Sequence, residues 1–298
     1  MAASSLNQKS HNHVRSTSLP SKPHPVILQC NEHLSRFGAS EATLSSSLLS
    51  LKLNNLRDLH DSIEKLVQLP LIQEALVREH HEKWVNELLD GSLRVLDTCS
   101  SAKDALLHTK ECTRELQSII RRRRGGGNDV ELATEVKKFL TSRKVVRKAI
   151  FKCLENLKGV SANKLSLSDT NKDYQTMTLV SLLTEGEVVT LSIFESLLNF
   201  ISGSTQSKPS SWSFVSKLMH SKRVASAQGG EDENEFAKVD SALQFFIFNT
   251  TSKSNNTIDL QNKLGKLESC IQDLEEGLES LFRRLIKIRV AFLNILNS

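Results

Sequence analysis

Six residues near the start, Arg15-Ser16-Thr17-Ser18-Leu19-Pro20, have the form R-S-x-S-x-P. An Arg three positions before a Ser suits a basophilic kinase, and phosphorylation gives that side chain nearly two negative charges. Such a phosphate pairs with an Arg cluster on a partner, while a Pro two residues later turns the chain out of the groove. Phosphorylated at Ser18, the set Arg15, Ser16, Ser18 and Pro20 is the pattern that 14-3-3 proteins read. The plain alternative is an inert Ser-rich tail, because a six-residue pattern arises by chance.

A second chemical feature is positive charge. Arg121, Arg122, Arg123 and Arg124 close one predicted helix, and Arg143, Lys144, Arg147 and Lys148 follow on the next, among Lys137, Lys138 and Lys152. If the Gly125-Gly126-Gly127 turn folds these helices antiparallel, the charges share one side of a hairpin. That patch fits anionic lipid headgroups, RNA or a nuclear import receptor. Cations at a helix C-terminus also satisfy its dipole, so a solvated face is the favoured reading. Nucleic acid is disfavoured because only Phe139 and Phe151 occur among the bases, too few for a stacking platform.

Other constellations fail on spacing. His80 and His81, flanked by Glu79 and Glu82, point about 100° apart on a helix and do not meet HExxH spacing. Gly125–Gly127 lacks the Gly-Lys-Ser/Thr ending of a phosphate loop, and no Ser sits in a G-x-S-x-G elbow. Five scattered cysteines show no CxxC pair, which suits buried, reduced thiols of an intracellular protein. The sequence therefore predicts no enzyme, no cofactor and no metal site.

The elements that carry these features are helices. Leu dominates the apolar residues, with one Tyr and two Trp in the chain, and Leu, Lys, Glu and Arg all favour helix, which predicts an all-α fold. Six or seven helices can be placed: 26–37, then one from a Ser40 N-cap through Leu66, and a third from Pro70 carrying Ile72, Ala75, Leu76, Trp84 and Leu88. Asp90-Gly91-Ser92 is expected to turn or kink the chain before a fourth helix ending at Arg124. A fifth starts at Asn128, capping-box fashion with Glu131, and a sixth covers about 174–201, stopped by Gly203. A short helix is expected at 236–248. Apolar runs such as Leu243–Phe248 are too short for a membrane span.

The strongest pattern lies in the last forty residues. Leu260, Leu264, Leu267, Ile271, Leu274, Leu278, Leu281, Leu285, Ile288, Phe292 and Ile295 keep an unbroken 4-3 spacing. These a and d positions line one stripe of a helix about 50 Å long, which must pack on other helices. Phe282, Ile286, Val290, Leu293 and Leu296 widen the apolar arc of its second half. That width favours docking into the chain's own bundle over a two-stranded homodimer.

Six segments carry a family resemblance: RSTSLPSKPHP (15–25), LRDLHDSIEKLVQLPLIQEAL (56–76), KWVNELLDGSLRVLDTCSSAKDAL (83–106), LQSIIRRRR (116–124), SRKVVRK (142–148) and LEEGLESLFRRLIKIRVAFLNIL (274–296). In these the chain resembles the plant-specific BYPASS-related family. The resemblance implies a role in root and shoot development and no known enzymatic activity, cofactor or catalytic residue.

The expected organisation is a disordered basic arm (1–25), an elongated helical bundle (26–201), a flexible linker (202–235) and C-terminal helices packing on the bundle (236–298). Expected partners are proteins, with 14-3-3 a candidate, and in the competing reading an anionic membrane surface; a second copy of the chain is the alternative closure of the seam. The acid-poor, Ser-rich start is compatible with plastid targeting, but a leader in a cytoplasmic protein is favoured.

Overall fold

The computed structural model describes residues 24–37, 45–79, 81–123, 129–160, 174–203, 234–248 and 253–297. Among these the fold is all-α, with eight helices: α1 Pro25–Ser35, α2 Ser46–Val67, α3 Pro70–Arg78, α4 Lys83–Arg123, α5 Asp129–Val160, α6 Tyr174–Ser202, α7 Glu235–Phe248 and α8 Lys253–Leu296. At 1.5 Å per residue α4 and α8 are each about 60 Å or more long, so the bundle is elongated.

All eleven seam positions of α8 are buried, from Leu260 to Ile295. They close against helices of the same chain: α8 packs on α2, α4, α7 and α3. Ion pairs set the directions. Arg114–Glu268, Lys110–Glu275 and Lys103–Glu279 align α4 antiparallel to α8, while Arg284 holds Asp61 and Glu64 of α2. Off the seam the arc is only partly covered. Phe282 packs under the Lys103 ammonium, whereas Ile286, Val290 and Leu293 are exposed. The width of the apolar arc thus overstates how far α8 is surrounded.

Local chemistry sets several boundaries. Ser45, rather than Ser40 (which lies outside the described residues), caps α2: its Oγ accepts from the Leu48 N–H at 3.2 Å. Pro70 opens α3 as expected, but α3 ends at Arg78, and Trp84 and Leu88 belong to α4. The Trp84 indole N–H bridges that break by donating to the Glu79 carboxylate at 3.0 Å.

Asp90-Gly91-Ser92 does not interrupt α4. Gly91 is there for close approach, since a Cβ would lie 2.1 Å from Glu187 Oε2 of α6, the carboxylate that Arg94 holds at 2.6 Å. Ser92 Oγ donates to the Leu89 carbonyl at 2.7 Å, so it too stays within the helix. A glycine that serves packing thus looks like a breaker in sequence.

The stretch Thr176–Ser202 of α6 is long and apolar enough, by length and composition, to cross a membrane, contrary to the expectation from apolar runs. It sits against α2, α4, α5 and α7, burying Leu179, Leu183, Phe194 and Leu198. All five cysteines are free, and burial pushes Cys30 up to about 11 and Cys99 and Cys270 up to about 12.

Leu278 has no exposure at the middle of the seam. Leu278→Ala should cost about 2–5 kcal/mol in urea unfolding, and Leu278→Arg should cost more by burying an unpaired charge. An unchanged unfolding midpoint for both variants would contradict the burial.

Candidate interaction surfaces

The charges predicted to form one basic patch are sorted by the structure into groups that do different things. α4 and α5 are antiparallel, as the hairpin reading requires: Lys138 reaches Glu115 at 2.7 Å, and Ser142 meets His108 and Cys112. Arg121 and Arg122 are exposed at the end of α4, where Arg121 helps to lower the Glu268 carboxyl after the larger effect of Arg114. Arg123 and Arg124 lie outside the residues whose side chains are described. Lys144 and Lys148 point outward from α5.

Arg143 and Arg147 turn the other way, and this corrects their place on the patch. Arg143 is 2% exposed and grips Asp240 of α7 with Nε and Nη2, both at 3.1 Å, while Nη2 also donates to the Ile201 carbonyl at 2.8 Å. Arg147 donates to the Ser202 carbonyl at 2.7 Å and pairs with the same Asp240 oxygen. Two guanidiniums share one buried carboxylate, and the C-terminal carbonyls of α6, the negative end of its dipole, take part of the remaining charge. Gly203 makes this geometry reachable. Its φ of 73° turns the chain out of α6, and a Cβ would sit 3.3 Å from Asp240 and 3.4 Å from Arg147.

The same cluster fixes α7. Asn234 caps it by accepting from the Phe236 N–H at 2.8 Å, and its side-chain amide donates to the Phe200 carbonyl at 2.6 Å. Phe236 packs edge-on against Phe200, with its ring 5.2 Å from the Arg143 guanidinium. Three helices from three parts of the chain therefore meet at Asp240. This is a structural clamp, and reading the sequence by motif misses its central residue.

Elsewhere one buried polar tie joins α2 to α6. His60 Nε2 and Thr190 Oγ1 are 2.9 Å apart, and His60 Nδ1 has no hydrogen-bond partner among the described residues. Burial pushes this imidazole down to about 4, so it is neutral at physiological pH.

The closest approach to catalytic chemistry is the trio on α4 and α5. Ser142 Oγ lies 2.7 Å from His108 Nε2 and 3.1 Å from Cys112 Sγ. A Ser or Cys beside an imidazole is half of a nucleophile–base pair. Both helices commit their N–H groups to the i→i−4 ladder there, so no backbone donors are free for an oxyanion. The trio reads as an interhelical polar bridge. Among the described residues no group of three His, Cys, Asp or Glu could hold a metal; His81 is described and His80 is not. The phospho-docking residues Arg15, Ser16, Ser18 and Pro20 also lie outside the described residues.

One open groove follows α4 and α8, lined by Lys103, Asp104, Leu107, Glu275, Glu279 and Arg283. Its acids and bases largely pair with each other, as Lys103 and Arg283 both do with Glu279, so little unpaired charge is left for a ligand.

A family model described as Protein BPS1 matches residues 52–295. No curated protein and no solved structure matches the chain.

The buried charges and the buried imidazole each have a measurable consequence. Asp240→Ala leaves Arg143 buried without its carboxylate and should cost about 3–5 kcal/mol in urea unfolding. Lys148→Ala, on the outward face of the same helix as Arg143, should stay within about 0.5 kcal/mol; equal effects would remove the distinction. For His60 the folded value lies below the ordinary 6.5, so the unfolded chain takes up the proton first. Stability is then whole above pH about 6.5 and falls as pH drops towards 4, by on the order of 3 kcal/mol. His60→Gln should flatten that part of a stability–pH curve, and an unaltered slope would contradict the assignment.

Proposed function

The chain belongs to the BPS1 plant family, and from that membership we propose that it is a non-enzymatic helical interaction protein acting in root and shoot development. The family match carries the developmental part of this reading. The interaction part is supported by the way the fold uses its chemistry. Charged groups such as the buried Arg143 and Asp240 and the half-buried Arg147 are consumed in joining helices. The Ser142–His108 contact lies in mid-helix, where the backbone N–H groups are committed to the helical ladder.

Docking is proposed at the N-terminal arm. Arg15 at −3 and Pro20 at +2 frame Ser18, so its phosphorylation creates a doubly charged ligand for the Arg cluster of a 14-3-3 protein. The described bundle starts at His24, only a few residues beyond this motif. Short separation along the chain keeps a docked partner near the start of α1.

The test is a pull-down from plant tissue with the intact chain and with Ser18→Ala, read by mass spectrometry. The expected result is loss of 14-3-3 proteins from the Ser18→Ala bait, with other partners kept. Equal recovery by both baits would contradict docking at Ser18.

A further inference from the structure

The outward face of α5 differs from the ion-paired surfaces of α4 and α8 in that its bases are not paired with acids. Lys137, Lys144, Lys148 and Lys152 are exposed, and none of them makes a hydrogen bond or ion pair through its ammonium among the described residues. At 100° per residue all four fall within an arc of about 80°. Glu155 is the carboxylate that shares this arc, one turn beyond Lys152. The neighbouring bases are already engaged: Lys138 is held by Glu115 and Glu135, and Arg143 and Arg147 point inward to Asp240.

Two large apolar side chains flank the lysine stripe. Val145 is 61% exposed and Phe151 is 56% exposed, one on each side. Their placement is not explained by the core, which α5 reaches through Leu132, Val136, Phe139, Val146 and Ile150. The stripe runs about 22 Å along a straight helix, which is too long for a single small anion and is nearly flat.

We propose that this face of α5 is a contact surface for an anionic lipid bilayer. The lysines meet acidic headgroups as point charges, and Val145 and Phe151 enter the boundary between headgroups and acyl chains. Lysine suits this task, since no fork geometry is required and a mobile stem lets each ammonium find a headgroup. Adjacent apolar side chains then supply the part of binding that salt does not screen. RNA is the weaker occupant because the face has no row of aromatics for bases to stack on. Membrane contact is additional to docking at Ser18 and does not depend on it.

The test uses the full chain with vesicles of phosphatidylcholine alone or mixed with phosphatidylserine. Sedimentation should show binding to the mixed vesicles only, and high salt should weaken it strongly. The combined variant Lys144→Glu, Lys148→Glu, Lys152→Glu should weaken binding by on the order of 100-fold at an unchanged melting temperature. Phe151→Ser, which leaves the charge intact, should weaken it several-fold, with poly(U) RNA failing to displace the protein. Absence of wild-type binding, undiminished binding by the triple variant, or displacement by poly(U) with no effect of Phe151→Ser would each overturn the proposal.

Discussion

A stripe of eleven apolar side chains on one 44-residue helix cannot remain in water, and most of the bundle is arranged to cover it. Burying each of these residues stabilises the fold by about 1.5–3 kcal/mol before conformational entropy is subtracted. The stripe draws α4 and α2 onto α8, with α7 and α3 also packed against it. α2 and α4 are joined chiefly through α8 and α6 rather than to each other. The C-terminal helix is therefore the middle of the molecule and not a latch on a finished bundle.

Polar chemistry in the interior is used for specificity of joining. Hydrophobic stripes tolerate sliding, but a guanidinium pair on one carboxylate fits one registry. Asp240 sets α7 against α5 and against the C-terminus of α6, and Gly203 leaves room for that meeting. His60 and Thr190 do the same for α2 and α6 with neutral groups. Among the described residues, the lysine face of α5 is a charged surface that the fold does not use in joining helices.

The seam of α8 is fully legible in the sequence, because an unbroken 4-3 spacing sustained over eleven residues specifies a single helical stripe. Gly203 and Pro70 are legible as punctuation. Gly91 carries the same signal with the opposite meaning: a glycine marks missing bulk, and only the neighbour shows whether the chain turns there or Glu187 moves in. Arg143 is legible in its spacing, although its charge alone groups it with the surface bases. Leu132, Val136, Phe139, Arg143, Val146 and Ile150 keep a 4-3 spacing, so the arginine occupies a core position of its helix. Asp240 likewise stands among Phe236, Val239 and Leu243 on the buried side of α7. A lone charge inside an apolar period calls for an opposite lone charge elsewhere, and these two match. What sequence could not supply is the pairing of Ser142 with His108 and Cys112, which depends on how two antiparallel helices are aligned.

Closure of the seam within a single chain is the central claim, and amide hydrogen exchange on the intact protein tests it most directly. Protection should be greatest between Leu264 and Ile288 and should be the same at every protein concentration. Protection of that segment that rises with concentration would show a second copy covering the seam and would contradict the account.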